Sequence, residues 1–279
     1  MTAEASLSVQ FCGRAALIRC ADPDLRRSLA GYFRHCLGRQ TSVVASYDIT
    51  PADKGDWQLW RDGNLLHPQA TRLYLFIYLS QDIMAKLAAG CQQALIFHAA
   101  GLCQGQSGLI ICGRSGSGKS TLAAWLTAAG FDFLSDEIVA IRFDPLEMTG
   151  LAWPIVLKRG STFVWQHWLG AGAAEQMLQF FDGAAWFDPE QLRARCVGGA
   201  AQPSLLLFPR YTPDAPLAAQ PLSAAEAAFR LMHQLVNFKQ LPQQGFQQVA
   251  GLARQVKAYS LIYSDVTAAA AWLRGLIVP

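Results

Sequence analysis

Residues 113–121 read Gly-Arg-Ser-Gly-Ser-Gly-Lys-Ser-Thr, and this nonapeptide constrains the fold more than any other stretch of the chain. Gly113, Arg114, Ser115, Gly116, Ser117, Gly118, Lys119, Ser120 and Thr121 fit the pattern G-x-x-x-x-G-K-[ST], with an additional glycine at 116. The flanks agree with it. Ser107–Cys112 is a short apolar run that predicts a buried parallel strand. Thr121–Ala129 predicts a helix, with Gly130 as its C-terminal stop. Strand, glycine-rich loop and helix start together define a phosphate-binding loop and an α/β fold.

The residue types have a direct physical meaning. Glycines let successive backbone N–H groups turn inward towards phosphate oxygens, and the following helix adds partial positive charge at its N-terminus. Lys119 is a flexible cation that can reach the outer phosphates, and the Ser120 hydroxyl is placed to ligate Mg²⁺. The expected ligand is therefore a nucleoside triphosphate, ATP with Mg²⁺.

Immediately after this helix, Phe131–Ile141 carries the acidic pair Asp136-Glu137 between apolar residues. Two adjacent carboxylates suit two tasks at a triphosphate, ordering the metal and accepting a proton from an attacking hydroxyl or water. Their mutual repulsion can also raise one pKa towards a useful base. Only seventeen positions separate Lys119 from Asp136, whereas motor, transporter and unfoldase ATPases carry their second acidic strand much further along.

That spacing resembles the C-terminal domain of the HPr serine kinase family, which shares its fold with phosphoenolpyruvate carboxykinase. The resemblance covers roughly residues 90 to 270 and is strongest over 97 to 141. It includes the histidine-bearing segment Phe97-His98-Ala99-Ala100-Gly101-Leu102, the loop, and Leu134-Ser135-Asp136-Glu137. Weaker matches run through Pro154–Lys158, Leu206–Tyr211 and Leu222–Glu226. The resemblance implies an HPr-kinase/PEP-carboxykinase-like core with a mixed sheet. It implies Asp136 as the base for an acceptor hydroxyl and His98 beside it. Ser120 would be the Mg²⁺ ligand, with Glu137 helping. Taken without the resemblance, His98 is a lone histidine in an apolar strand and reads first as a satisfied core residue rather than a functional one. Two departures are visible: the family's usual pair is Asp-Asp, and its glycine- and arginine-bearing signature after the pair has no clear copy here. They point away from HPr itself as the acceptor.

Composition limits the alternatives. The 279 residues are 52% hydrophobic and only 15% charged, which suits an ordered protein with a sizeable core. A net charge of +3 gives no nucleic-acid signal. Seven cysteines at 12, 20, 36, 91, 103, 112 and 196 show no CxxC or zinc spacing, so a reduced, cytoplasmic setting is expected. No basic-then-apolar leader is read at the start, and the apolar run Leu73–Leu79 is far short of the ~20 residues a membrane span requires.

The expected organisation is an α+β segment over 1–90, packing on the core, and a kinase-like core with C-terminal helices over 91–279. In the first part the sequence predicts a hairpin over 7–20, a helix from Asp22-Pro23-Asp24 towards Leu37, and strands at 43–49 and 57–60. Asp62-Gly63 is a turn before Leu65, and a helix over 69–90 follows. In the second part, strands are expected at 153–157, 204–208 and 259–263. Ser223 and Glu226 form a capping box for a helix to about Lys239, and Ser264 caps a last helix. Residues 161–200, rich in Gly, Ala and aromatics, read either as packing or as a lid. Lys158 and Arg159 after an apolar strand, and more weakly Arg210, could neutralise charge on a transferring phosphoryl group or simply be solvated.

The expected activity is transfer of the γ-phosphate of ATP to a serine-like hydroxyl on a peptide, protein or metabolite. The alternative is a nucleotide-loaded switch or slow ATPase that recruits a partner. HPr kinases form rings of subunits, which leaves a homo-oligomer open. No nucleic-acid or membrane partner is expected.

Overall fold

The expected N-terminal hairpin forms. Strands β1 (Ser6–Phe11) and β2 (Arg14–Cys20) pair antiparallel across a turn where Cys12 and Gly13 both take positive φ, 51° and 73°. The structure is a computed structural model that describes residues 6–39, 42–169, 178–179, 185–241 and 245–277. The chain divides into two units, Met1–Cys91 and Gln92–Pro279. Both are α/β, and their sheets are mixed.

In the first unit, helix α1 (Pro23–Tyr32) starts where Asp22 accepts a hydrogen bond from the Leu25 amide, as Asp-Pro at a helix start favours. It stops five residues short of the expected Leu37. The backbone at 36–38 instead pairs with the edge of β1, through Gln10 N–H to Cys36 O at 2.8 Å and Gly38 N–H to Ser8 O at 3.1 Å. Strands β3 (Ser42–Pro51), β4 (Trp57–Arg61) and β5 (Asn64–Ala70) complete a five-stranded sheet in chain order, with β2 and β3 parallel. Helix α2 (Arg72–Ala89), capped by Thr71, buries Leu75, Leu79, Ile83 and Leu87, spaced by four along one face.

The second unit holds β6 (Leu95–Gln104), β7 (Ser107–Cys112), α3 (Lys119–Ala128), β8 (Asp132–Ser135), β9 (Ile138–Phe143) and β10 (Leu146–Gly150). These are followed by β11 (Ile155–Leu157), α4 (Thr162–Leu169), β12 (Leu178–Gln179), β13 (Ala185–Phe187), β14 (Gln202–Tyr211) and β15 (Ala218–Pro221). Helices α5 (Ala224–Met232) and α6 (Gly245–Gln255), strand β16 (Lys257–Tyr263) and helix α7 (Val266–Ile277) close the chain. An eight-stranded sheet runs β10-β9-β6-β7-β14-β16-β15, with β8 also pairing with β6. Strands β7, β14 and β16 are parallel at its centre.

Period-two alternation sends the side chains of these central strands to opposite faces. Leu109, Ile111, Leu205 and Leu207 pack with α3 and α7. Ile110, Cys112, Leu206 and Phe208 pack with α5 and α6. Residues of both sets are almost fully buried, so the near-continuous apolar runs 109–112 and 205–208 are what a sheet covered on both faces requires.

Two boundaries differ from the sequence expectation. The capping box of Ser223 and Glu226 forms, but α5 ends at Met232 rather than near Lys239. The following residues serve the start of β6: the buried Asn237 side chain accepts from Ile96 N–H and donates to Ala94 O, both at 2.9 Å, and Val236 N–H donates to Ile96 O. Helix α7 is capped by Asp265, which accepts from Thr267 N–H at 2.7 Å, while the Ser264 hydroxyl turns away to Ala215 O. Among residues 161–200, α4, β12 and β13 are new elements. Phe180 and Phe181, together with 170–177 and 182–184, lie outside the described residues. Among the described residues no helix is long and apolar enough to cross a membrane.

Candidate nucleotide site

The loop leaves the C-terminal end of β7 and enters α3 with the geometry its glycines allow. Gly116 and Gly118 have φ of 83° and 93°, a region side-chain-bearing residues rarely adopt. A Cβ at Gly113 would sit 2.5 Å from Ser117 Oγ, and one at Gly118 would collide with the Tyr263 hydroxyl. Lys119, the first residue of α3, is buried, and its Nζ donates to Gly113 O at 2.6 Å and to Arg114 O at 3.4 Å. Burial lowers its pKa, opposed by the nearby charges of Asp136 and Glu137. The lysine thus folds over its own loop through carbonyls that a stronger anionic partner can replace.

Distant segments hold the loop in place. Tyr211 N–H donates to Ser117 O at 3.1 Å from the end of β14, and the Tyr263 hydroxyl donates to Gly118 O at 3.2 Å from the end of β16. Lys158 reaches across and donates from Nζ to Ser115 Oγ at 3.0 Å. Thr121 Oγ1 lies 2.5 Å from Ser161 Oγ, which commits the second hydroxyl of the motif to a structural bond.

The acidic pair occupies a kink in a strand. Strands β8 and β9 both run antiparallel to β6, with Ser135 opposite Gly101 and Ile138 opposite His98, so Asp136-Glu137 falls at the junction between the two strands, where the Glu137 carbonyl accepts from Ala99 N–H at 3.2 Å. Buried Ser135 fixes the kink: its hydroxyl donates to Leu151 O and accepts from the amides of Glu137 and Ile138, at 3.1–3.2 Å.

The two carboxylates then face different surroundings. Asp136 is buried, and one oxygen, Oδ1, has no hydrogen-bond partner. Burial first, and the charge on Glu137 second, push its pKa up to about 8, against the pull of Ser120, Lys119 and the Val156 backbone. Glu137 is more open, with its side chain 34% exposed. Its partner is His98, whose Nδ1 lies 3.0 Å from Glu137 O and 3.6 Å from Oε2. A carbonyl oxygen only accepts, so Nδ1 carries the proton.

His98, Lys119, Ser120, Asp136, Glu137 and Lys158 all line one cavity of about 390 Å³. Arg114, Ser115, Gly116, Gly118 and Thr121 contribute to its walls, while Gly113 and Ser117 lie behind them in the loop. Arg210 lines a different cavity, and the Arg159 side chain lies outside the described residues. The pairing within the site differs from the expectation: Ser120 interacts with Asp136, and His98 with Glu137. Sequence reading missed Tyr211, Tyr263 and Ser161. Only the Pro209-Arg210-Tyr211 match hinted at one of them, and nothing local marks the other two.

The residues fit a nucleotide with a divalent cation. A buried carboxylate oxygen without a partner, beside a hydroxyl and a lysine in a glycine loop, is an incomplete coordination and charge environment. No protein-family model matches this chain, and no curated protein matches it. Among solved structures it is similar to the HPr(Ser) kinase/phosphatase from Coxiella burnetii, at 11% identity over 64% of this chain and 88% of that one, with a TM-score of 0.32, a distant likeness of fold.

Proposed function

We propose that this protein is a nucleotide-dependent kinase that transfers the terminal phosphate of Mg-ATP to a hydroxyl-bearing acceptor. One observation carries the reading: a complete phosphate loop, a buried carboxylate with an unpartnered oxygen and a half-open Glu137–His98 pair meet in a single cavity. Bound there, Mg-ATP would supply the phosphoryl group, and the cation would supply positive charge beside the phosphates.

The chain's own residues divide the remaining work. The loop amides and Lys119 hold the phosphates, with Lys119 exchanging its carbonyl partners for phosphate oxygens. Ser120 and Asp136 would hold the cation, a role that would keep Asp136 ionised against its raised pKa. Glu137 takes the acceptor proton, being the acid open to a second substrate, and His98 holds the Glu137 main chain through Nδ1 with its ring 3.6 Å from the carboxylate. This exchanges the roles of Asp136 and Glu137 relative to the family resemblance. Lys158, bonded to Ser115 at the rim, faces the charge that develops on the transferring group.

A second reading is hydrolytic, and the same pairing favours it: an aspartate on the loop serine followed by a more open glutamate also suits positioning a water. Incubation with γ-labelled ATP, Mg²⁺ and pools of hydroxyl-bearing peptides and metabolites separates the two. Label recovered on an acceptor supports the kinase. Acceptor-independent release of inorganic phosphate supports the hydrolytic reading, and absence of both in a protein that binds no nucleotide contradicts each.

A further inference from the structure

The other face of the central sheet opens at the same strand ends. A cavity of about 500 Å³ lies where β7, β14 and β16 finish, beneath α5. The chain leaves β7 through α3 on one face and leaves β14, by way of β15, through α5 and α6 on the other, the kind of switch point where ligands bind in open α/β sheets. Phe208 and Arg210, both even positions of β14, turn towards α5 and line it.

Its lining is one-sided in charge. Arg114, Arg210, Arg230 and His233 contribute to the wall, and no Asp or Glu does. Arg114 and Arg210 are exposed and have no carboxylate partner among the described residues. Arg230 lies over the Phe208 ring at 5.5 Å, and its charge also acts on Glu226, outside the cavity. Apart from Gln234 and Ser260, the remaining side chains are apolar: Phe208, Leu261 and Ile262 line it, and Phe229, 68% exposed, stands edge-on to His233 at 4.9 Å. Guanidinium groups gathered on one concavity repel one another and favour a bidentate anion between them. The volume exceeds that of a bare phosphate and falls in the range of small-molecule sites.

We propose that this cavity is a second ligand site, taking a small organic anion whose phosphate or carboxylate meets the arginines and whose apolar body meets the phenylalanines. Its occupancy is linked to the loop through Gly113 and Arg114, which line this cavity and whose carbonyls hold Lys119 Nζ. The site stands on its own lining, whereas the linkage rests on the nucleotide reading above.

Calorimetric titration with phenyl phosphate and with phenylacetate tests both parts and separates the two anion types. Wild-type protein should bind at least one of them. The Arg210→Ala/Arg230→Ala double variant should weaken that binding about tenfold or more, the loss of a charged hydrogen bond. Either single variant should show a smaller loss in the same direction, and the Lys119→Ala variant should stay within about threefold of wild type. Saturating the anion should change Mg-ATP affinity, and saturating Mg-ATP should change anion affinity by the same factor. No binding of either probe up to about 10 mM overturns the site. So does binding that is lost in Lys119→Ala and kept in the double variant, because the anion is then in the phosphate loop. Independent affinities overturn the linkage alone, and anion binding without any Mg-ATP binding sinks the nucleotide reading but leaves the second site standing.

Discussion

The Tyr263 hydroxyl donates a hydrogen bond to the Gly118 carbonyl at 3.2 Å, joining the end of β16 to the glycine that starts α3. The tyrosine is 1% exposed, and Gly118 has no room for a side chain against it. Tyr263→Phe keeps the ring and removes one hydrogen bond, worth about 1 kcal/mol. Mg-ATP affinity by calorimetry should fall about fivefold with little change in the melting temperature. Gly118→Ala combines a collision with a strained φ and should cost more than the tyrosine variant in both readouts. Equal or better affinity in both variants would separate loop geometry from binding.

Lys158 is exposed, and the contact that ties it to the loop is Ser115. Its removal should leave stability within about 0.5 kcal/mol of wild type, as expected of an exposed surface residue. Turnover of ATP by Lys158→Ala should nevertheless drop about tenfold, roughly 1.4 kcal/mol of transition-state stabilisation. Lys158→Arg should recover part of it, because charge is the property being used. A variant with wild-type turnover returns Lys158 to ordinary surface solvation.

Asp136 gives the metal-free protein a pH dependence of known sign. Its pKa is raised from the ordinary carboxylate range to about 8 in the folded state, so between those limits the folded chain binds more protons than the unfolded one. The contribution favouring folding is complete below the ordinary range and is lost as pH rises towards about 8, by up to about 1.4 kcal/mol per unit. Melting temperatures measured in chelator should therefore fall from pH 5 to pH 8. Asp136→Asn should flatten that slope and melt above wild type at pH 8. Parallel slopes in the two proteins would mean that Asp136 does not titrate in this window.

What the sequence made legible was local. The loop, the strand before it, the helix after it and the acidic kink all lie between 107 and 141, where the motif and continuous apolar runs specify backbone and burial together. The contributions of Tyr263 and Ser161 come from positions 145 and 40 residues away from the groups they touch, and no local pattern encodes such contacts. The end of α5 was hidden for a related reason. Helical propensity continues past Met232, but the buried Asn237 finds its partners at Ala94 and Ile96, where β6 begins, more than 140 positions earlier, and tertiary hydrogen bonding overrides the local pattern. The pairing of His98 with Glu137 rather than Asp136 follows from the kink, which sends adjacent side chains into different surroundings.

The most direct measurement is the fate of the terminal phosphate in Glu137→Gln and Asp136→Asn, with Mg-ATP binding followed alongside in each. If Asp136 with Ser120 holds the cation and Glu137 takes the acceptor proton, Glu137→Gln binds Mg-ATP near wild-type affinity and loses phosphoryl transfer by about a hundredfold or more. Asp136→Asn then loses the Mg²⁺ dependence of binding itself. The contradicting result is a Glu137→Gln protein that transfers phosphate at the wild-type rate beside an Asp136→Asn protein that binds Mg-ATP normally.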